Sequence, residues 1–271
     1  MSSSHYIHGT SPEEQQRLTA MNRLLNERFL AQAALKPGER IVDFGAGLGQ
    51  FSRAMARIAG VPVVGIERSN EQILEAMRQA DADGETHLVD MRQGSAEVAP
   101  LTNREWGHFD LAHARFLLEH VRNPLFIVRT MARAVRPGGR IILSDDDYDV
   151  MRLWPEPPGL APVWQAYQRT YDRHGNDPIV GRRLVQLLQQ AGVQPRRNTW
   201  IFFGGCSGHP DFEGYVSNLA KILEGAIDAI AETGTPRETV QAVLDALATW
   251  QRRPDAALWH GIAWAEGVKV C

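Results

Sequence analysis

The sequence predicts an α/β protein with a doubly wound, mostly parallel β-sheet that is covered by helices on both faces. Short apolar runs alternate with helical patterns through the first two thirds of the chain. Such alternation is typical of parallel sheets built from strand–helix–strand units. A glycine-rich turn joins the first strand to the first of these helices, and two late runs of β-branched and aromatic residues add further strands.

Seven strands are predicted. The first five are placed at residues 41–44, 63–67, 87–90, 109–112 and 140–144, and the late pair at RNTWIFFGG and ALWHGIAWAEGVKV. QFSRAMARIA, PLFIVRTMARAV and GRRLVQLLQQAGV repeat apolar residues at helical spacing. VRPGGRIIL is interpreted as a helix stop, a glycine turn and the fifth strand. YDVMRLWPEPPGLAPVW is rich in proline, and we expect it to contain no regular sheet.

The length of 271 residues favours one domain with insertions, which we assign to residues 1–271. Two insertions, at residues 148–178 and 208–256, are expected to form a cap over the ligand edge of the sheet. The formal net charge of −3 argues against a nucleic-acid partner. No apolar run has membrane-spanning length and the start lacks the apolar core of a signal peptide, so a cytoplasmic protein is expected. Two cysteines cannot build a disulfide framework.

The glycine loop Gly45-Ala46-Gly47-Leu48-Gly49 poses the central question, because both dinucleotides and S-adenosylmethionine bind loops of this kind. A dinucleotide fingerprint needs a third glycine at position 50, where this chain has Gln50. Asp43 ends the preceding strand, where its carboxylate can reach an ammonium group but would repel a diphosphate. Glu67 ends the second strand and can bind both ribose hydroxyls of either cofactor. The loop therefore favours S-adenosylmethionine.

Several ordered motifs together resemble the class I S-adenosylmethionine-dependent methyltransferases, specifically the small-molecule branch that includes the ubiquinone and menaquinone C-methyltransferases. The resemblance covers residues 37–145. VDFGAGLGQ matches the glycine motif, GIERSNEQIL the acidic ribose motif, GSAEVAPL the adenine motif and RPGGRIIL the fifth-strand motif. The resemblance implies a Rossmann-like sheet with an antiparallel last strand. It also implies S-adenosylmethionine as the cofactor, which leaves as S-adenosylhomocysteine.

The resemblance also implies a set of cofactor-binding residues: Asp43, Gly45, Ala46, Gly47, Gly49, Glu67, Arg68, Gln72, Gly94, Ser95, Ala96 and His113. The opening YIHGTSPEEQQRL is similar to the N-terminal arm of one bacterial subgroup. Residues 1–36 would then form an arm and a helix over the cofactor, with Tyr6, His8 and Gly9 helping to enclose it. Two departures stand out: Ser95 replaces a frequent aspartate, and Glu67 replaces a more frequent aspartate.

The methyl acceptor is expected to be a small molecule. Enzymes that methylate adenine or glutamine amides carry Asn/Asp-Pro-Pro-aromatic after the fourth strand, where this chain has residues 113–116, His-Ala-Arg-Phe. Protein-arginine methylation needs paired glutamates there, and only Glu119 is present. His113 is the candidate catalytic residue, placed at the methionine end of the cofactor. Arg115 is a candidate substrate residue, and a structural ion pair at the start of a helix is its alternative.

The stretch SDDDYD follows the fifth strand and supplies two further candidate substrate residues, Asp146 and Tyr148. A divalent cation is the alternative ligand, but consecutive residues cannot all face one ion, so no metal is expected. His120 is interpreted as a packing residue, whereas His174, His209 and His260 are unranked candidates for a base.

Ten aromatic residues in and around the cap favour an apolar or aromatic acceptor: Trp154, Trp164, Tyr167, Tyr171, Trp200, Phe202, Phe203, Tyr215, Trp259 and Trp264. Methylation of oxygen or carbon is expected, by a monomer or a homodimer. A protein that binds S-adenosylmethionine without transferring its methyl group, and a nicotinamide-dependent oxidoreductase, are the alternative functions.

Overall fold

The computed structural model describes residues 11–270, so Tyr6, His8 and Gly9 lie outside the described part of the chain. The helices are α1 (Pro12–Ala33), α2 (Gln50–Ala59), α3 (Asn70–Ala82), α4 (Pro124–Ala134), α5 (Leu160–Arg169), α6 (Leu184–Gln190), α7 (Phe212–Gly225), α8 (Ile227–Glu232) and α9 (Arg237–Trp250). The strands are β1 (Ile41–Phe44), β2 (Val63–Glu67), β3 (Val89–Gln93), β4 (Phe109–Arg115), β5 (Val135–Asp146), β6 (Arg152–Trp154), β7 (Val193–Cys206) and β8 (Ala257–Lys269).

One eight-stranded sheet organises the described residues. Strands β3, β2, β1, β4 and β5 lie side by side in that order and are parallel. Strand β8 is antiparallel to β5, and β7 and β6 are both antiparallel to β8. The doubly wound α/β class, the parallel order and the antiparallel last strand are therefore confirmed. The last strand is internal, since β5 and β7 flank it.

Three strand predictions needed correction. The proline-rich segment contains β6, which pairs with residues 257–259 of β8; the expectation of no regular sheet there was wrong, because Pro155 follows the strand and does not interrupt it. The third strand begins at Val89, after a 3₁₀ turn at Thr86–Leu88. The fifth begins at Val135, because the predicted glycine turn is a bulge within β5 opposite residues 109–111 of β4.

Local capping explains where the helices that frame the ligand edge begin. Ser11 accepts a hydrogen bond from the backbone N–H of Glu14 at the start of α1, and Pro12 fills the first helical position. Ser69 caps α3 in the same way. Asn123 caps α4 and is followed by a proline. The helix predicted at residues 50–59 is α2, which begins directly after Gly49.

Two apolar clusters cover the two faces of the sheet. One packs α4 and α6 against β1, β4 and β5, with Val42, Ile127 and Leu187 fully buried. The other packs α1 and α2 on the opposite face and continues into α5, α7 and α9. These three helices lie within the predicted insertions 148–178 and 208–256, and α7 also contacts α1. No helix within residues 11–270 is long and apolar enough to cross a membrane.

Candidate active site

A cavity of about 450 Å³ lies at the carboxyl ends of β1, β2, β4 and β5, the edge at which open parallel sheets bind ligands. The glycine loop, the residues after β2 and the residues after β3 line one part, which we call the glycine-loop half. The residues after β5, the cap helices and β8 line the other part, which we call the aromatic half. Helix α1 contributes to the wall through Arg17, Met21 and Asn22.

The glycine loop is a tight backbone turn that only small residues permit. Gly45, Gly47 and Gly49 have φ angles of 73°, 53° and 63°, in the left-handed region that favours glycine. The N–H groups of Gly45 and Ala46 both donate to the carbonyl of Ile66, at 2.9 and 3.0 Å. The loop is thereby fixed to β2, and Gly45, Ala46 and Gly47 line the cavity.

Gln50 occupies the position at which a dinucleotide fingerprint has its third glycine. Its Nε2 donates to Thr19 Oγ1 and to Gln79 Oε1, and its Oε1 accepts from Asn22 Nδ2 at 2.8 Å. The side chain therefore joins α2 to α1 and α3. A glycine at this position could make none of these contacts, so the departure from the dinucleotide pattern has a structural purpose.

Asp43 and His113 form a buried pair at the glycine-loop half. They are neighbours in the register of β1 and β4. Asp43 Oδ1 accepts from His113 Nδ1 at 2.8 Å, and its Oδ2 accepts from Ser52 Oγ at 2.6 Å. The ring of His113 also contacts Phe51, with the ring centroids 5.0 Å apart. Both members of the pair line the cavity, so the sequence-predicted residues are brought together.

Arg115 ends β4 beside this pair. Its guanidinium donates to Asn22 Oδ1 at 2.6 Å and to Asn26 Oδ1 at 3.0 Å, and it lies 4.2 Å from the ring centroid of Phe51. These partners are amide oxygens and aromatic faces, in place of the acid that a structural ion pair requires. Burial lowers the pKa of Arg115 to about 10, and the nearby carboxylate of Asp43 opposes that shift. The group remains a cation at neutral pH.

Glu67 lies at the end of β2 with its carboxylate held by backbone donors. Gly47 N–H donates to Oε2 at 3.0 Å, and the N–H groups of Arg68 and Ser69 donate to Oε1, each at 2.8 Å. The carboxylate is oriented toward the glycine loop and is half-buried. Arg68 and Gln72 line the same part of the cavity, and Gln72 Oε1 is buried with no hydrogen-bond partner among the described residues.

The turn after β3 completes the glycine-loop half. Gly94 N–H donates to the carbonyl of Glu67, and a Cβ at Gly94 would lie 2.6 Å from Pro100, so the turn has no room for a larger residue. Ser95 Oγ accepts from the N–H of Glu97 at 3.1 Å. Ser95 and Ala96 line the cavity.

The aromatic half has walls of large apolar side chains. Trp164, Phe203 and Tyr215 line it, as does Tyr148. The edge of Tyr148 contacts Trp164, with ring centroids 5.1 Å apart, and its hydroxyl lies 3.3 Å from that of Tyr171. Not every predicted cap aromatic contributes: the exposed side chains are Trp154, Trp200, Phe202 and Trp259.

Three consecutive acids, two at the end of β5 and one directly after it, have three different sets of partners. Asp145 Oδ2 accepts from the N–H groups of Leu117 and Leu118. Asp146 Oδ1 lies 2.8 Å from His260 Nε2, whereas Asp147 pairs with Arg182. Only Asp146 of the three lines the cavity. Within residues 11–270, no group of three or more His, Cys, Asp or Glu side chains is arranged to hold a metal ion.

Glu119 is a buried acid in the cavity wall. Burial raises its pKa well above the ordinary glutamate value, and repulsion from Asp146 and Asp145 acts in the same direction. Its Oε1 lies 3.4 Å from His120 Nε2, and the His120 ring stacks on Tyr171. Burial raises the pKa of Asp145 to about 8, again with help from Asp146. Burial therefore favours the protonated form of both carboxyl groups.

Sequence reasoning missed the wall residues from α1 and did not single out His260. Arg17 is buried, binds Glu14 through two hydrogen bonds and donates to Asn218 on α7. Asn22 donates to Gln50 at the start of α2 and accepts from Arg115, so it connects these two residues. Arg17 lies within the opening segment YIHGTSPEEQQRL, in which only Tyr6, His8 and Gly9 were given a role, and Asn22 belongs to no sequence motif. A polar side chain on the otherwise apolar inner face of α1 was the available signal.

The fold is that of the class I S-adenosylmethionine-dependent methyltransferases. A model of the methyltransferase domain matches residues 14–197 of the chain, and the chain belongs to this family. The 27-O-demethylrifamycin SV methyltransferase of Amycolatopsis mediterranei is 31% identical over 190 residues, which are 69% of this chain and 66% of the relative. A ubiquinone biosynthesis O-methyltransferase of Xanthomonas campestris is 36% identical over 130 residues, 48% of this chain and 52% of the relative.

A solved structure agrees in fold. A protein from Bacillus halodurans assigned as a methyltransferase has a TM-score of 0.61 and 17% identity, covering 91% of this chain and 99% of that one. Several of the sequence matches, in contrast, span only about half the length of the curated relatives.

The residues present fit S-adenosylmethionine, the cofactor of this family. Buried Asp43 and cationic Arg115 offer opposite charges for the ammonium and carboxylate of its methionine part. Glu67 offers acceptor oxygens for ribose hydroxyls, and unpartnered Gln72 Oε1 offers one more acceptor in the same half. When bound, the cofactor supplies a methyl group on a sulfonium, which is a strong electrophile.

Proposed function

We propose that this protein transfers the methyl group of S-adenosylmethionine to the oxygen or carbon of a small molecule with an apolar, aromatic body. The carrying observation is that one cavity joins the glycine-loop half to the aromatic half. Alignment of two ligands in one water-poor space is the main requirement of an in-line methyl displacement.

Each residue of the glycine-loop half has a proposed role. Asp43 binds the ammonium of the methionine part and Arg115 its carboxylate, while His113 holds Asp43 in place and contacts the same end of the cofactor. Glu67 binds the ribose, with Arg68 and Gln72 beside it. Residues 94–96 enclose the adenine. The dense hydrogen bonding of Asp43 and Glu67 supports these roles, because a preset carboxylate loses little freedom on binding.

The aromatic half is proposed to bind the acceptor. Tyr148, Trp164, Phe203 and Tyr215 give it apolar walls, and Asp146 and Glu119 are among its polar groups. Segments 1–36, 148–178 and 208–256 are proposed to act as an arm and a lid around both ligands. The relatives named for methylation of a rifamycin precursor and for O-methylation in ubiquinone biosynthesis support an acceptor of this class.

A methyl-transfer screen tests the proposal. The protein is incubated with S-adenosylmethionine labelled with ¹³C in its methyl group and with a panel of alkylphenols, catechols and 1,3-diketones. Mass spectrometry then measures labelled product and S-adenosylhomocysteine. We expect methylation of at least one apolar aromatic acceptor and none of its carboxylated analogue. Tight binding of the cofactor with no product from any acceptor would instead favour the non-methylating alternative.

A further inference from the structure

His260 and Asp146 form a second buried histidine–carboxylate pair, in the aromatic half of the cavity. Asp146 ends β5 and lies opposite Ile262 in the register of β8. His260 comes two residues before Ile262, so it lies on the same face of β8 as Ile262. His260 Nε2 lies 2.8 Å from Asp146 Oδ1. The two residues are only 8% and 9% exposed, and both line the cavity.

The 2.8 Å contact bears on which ring nitrogen of His260 carries the proton. A carboxylate can only accept a hydrogen bond, which favours Nε2 as the donor. In a neutral imidazole the other nitrogen, Nδ1, then holds a lone pair. His260 Nδ1 is buried and has no hydrogen-bond partner among the described residues. Since His260 lines the cavity, a ligand bound there is the candidate partner for this nitrogen.

Three other histidines differ from His260 in their partners or their position. His113 is bound to Asp43 on the strand that leads into the glycine loop, and its ring contacts Phe51, which places it in the glycine-loop half. His120 stacks on Tyr171 with Nε2 beside Glu119. His209 is exposed and lies outside the cavity wall. His260 alone among these four combines a carboxylate partner with a position in the aromatic half.

We infer that His260 is the general base of the methyl transfer, that Asp146 positions it, and that the acceptor atom is therefore the oxygen of a hydroxyl group. The inference rests on the proposed function. A phenol-like hydroxyl keeps its proton at neutral pH and needs a base to become a good nucleophile, whereas a carbon already activated as an enolate does not.

The reaction balances as follows. His260 Nδ1 takes the hydroxyl proton while the acceptor oxygen forms a bond to the methyl carbon. The carbon–sulfur bond breaks and its electron pair stays on sulfur. The products are a methyl ether, a neutral thioether and an imidazolium that the Asp146 carboxylate stabilises. The proton passes to solvent when the product leaves.

Titratable groups surround His260 on several elements. Asp146 binds its Nε2, and the Tyr148 ring stacks on it with centroids 6.3 Å apart. Tyr171 and Tyr167 form a hydroxyl chain with Tyr148 from the α5 side. Glu119 interacts electrostatically with both Asp146 and Tyr148 from the turn after β4. Any pH profile must therefore be compared with variants of His260 itself.

The first test reads the tautomer directly and needs no acceptor. Histidines of the full chain are labelled with ¹⁵N, the protein is saturated with S-adenosylhomocysteine, and long-range ¹H–¹⁵N correlations are recorded at pH 8. The His260→Asn spectrum identifies the His260 signals. We expect a proton on Nε2 and none on Nδ1, with Asp146→Asn shifting the population toward Nδ1–H. A wild-type His260 that already carries its proton on Nδ1 would overturn the inference.

The second test uses 4-propylphenol and its methyl ether, 4-propylanisole, as probes of the same sample. The phenol is expected to shift the Nδ1 resonance of His260, because its hydroxyl can donate a hydrogen bond to that nitrogen. The ether has no donor, so it is expected to leave the resonance unchanged. A phenol that leaves this resonance unchanged at saturating concentration contradicts the assignment. His209→Asn serves as the matched control, since it removes an exposed histidine outside the cavity.

The third test uses whichever acceptor the screen identifies. We expect the product to be O-methylated, kcat of His260→Asn to fall by about 10²–10⁴-fold with little change in KM, and the acidic limb of the pH–rate profile to disappear. Methylation of carbon, or an unchanged kcat, overturns the inference while leaving the proposed function intact, whereas methylation of nitrogen contradicts both. A wild-type protein that does not bind S-adenosylmethionine would instead refute the proposed function.

Discussion

Replacing Glu67 by glutamine tests the proposed ribose contact. The carboxylate now receives three backbone N–H groups, one on Oε2 and two on Oε1. A glutamine can keep its carbonyl oxygen at the Oε1 position, but its NH₂ group then opposes Gly47 N–H and cannot accept from a ribose hydroxyl. One hydrogen bond to a charged acceptor is lost, worth ~1.5–3 kcal/mol, so the Kd for S-adenosylmethionine should rise about 10- to 150-fold.

Isothermal titration calorimetry of the purified variant measures this change. The Kd values for S-adenosylmethionine and S-adenosylhomocysteine should rise by the same factor, because the two ligands share the ribose. Glu71→Gln is the matched control: it removes the same charge from an exposed position on α3 and should change the Kd by less than twofold. An unchanged Kd for Glu67→Gln with a well-folded protein would refute the ribose assignment.

Three further predictions concern the loop, the buried acids and the turn behind them. Gly47→Val should abolish detectable calorimetric binding of the cofactor while circular dichroism stays native, because its φ of 53° disfavours valine yet no atom lies within 4 Å of the added Cβ. The urea concentration at the denaturation midpoint should decrease as the pH is raised from 6 to 8.5. Burial favours protons on Glu119 and Asp145 in the folded chain, whereas the unfolded chain releases them above about pH 4.5. The decrease should extend to the pKa of Asp145, which is about 8. In Glu119→Gln this decline should be smaller. Gly181→Ala should lower the free energy of unfolding by ~1–3 kcal/mol in urea, because its Cβ would lie 2.7 Å from the carbonyl oxygen of Asp146.

Each of these has a clear contrary result. Normal cofactor affinity in Gly47→Val would show that the loop does not approach the ligand. A denaturation midpoint that rises with pH would show that both acids are ionised in the folded protein. Full stability of Gly181→Ala would mean that the backbone after β5 relaxes freely.

The arrangement of the glycine-loop half was predictable from the sequence because its residues are local to strand ends. Asp43, the glycines and Glu67 each sit at a fixed distance from an apolar run, and the carboxyl ends of parallel strands meet at one edge. Gln50 was correctly given weight as a departure from the dinucleotide pattern. The contacts of Gln50 with α1 and α3 depend on how the helices pack, so they could not be predicted from the sequence.

The aromatic half was less predictable because its pairs are distant in sequence. Asp146 and His260 are 114 residues apart, and their contact depends on the register of β8 against β5. Arg115 was expected to face a ligand or an acid, yet Asn22 and Asn26 from α1 bind it. The strand β6 was missed because prolines nearby dominated the pattern, although three residues before Pro155 were free to pair.

The most direct test of the central claim is a parallel calorimetric titration of the wild-type chain with S-adenosylmethionine, S-adenosylhomocysteine and NAD. We predict saturable one-to-one binding of the first two ligands and no heat of binding with NAD. Binding of NAD without S-adenosylmethionine would contradict the assignment of the glycine loop and every role derived from it.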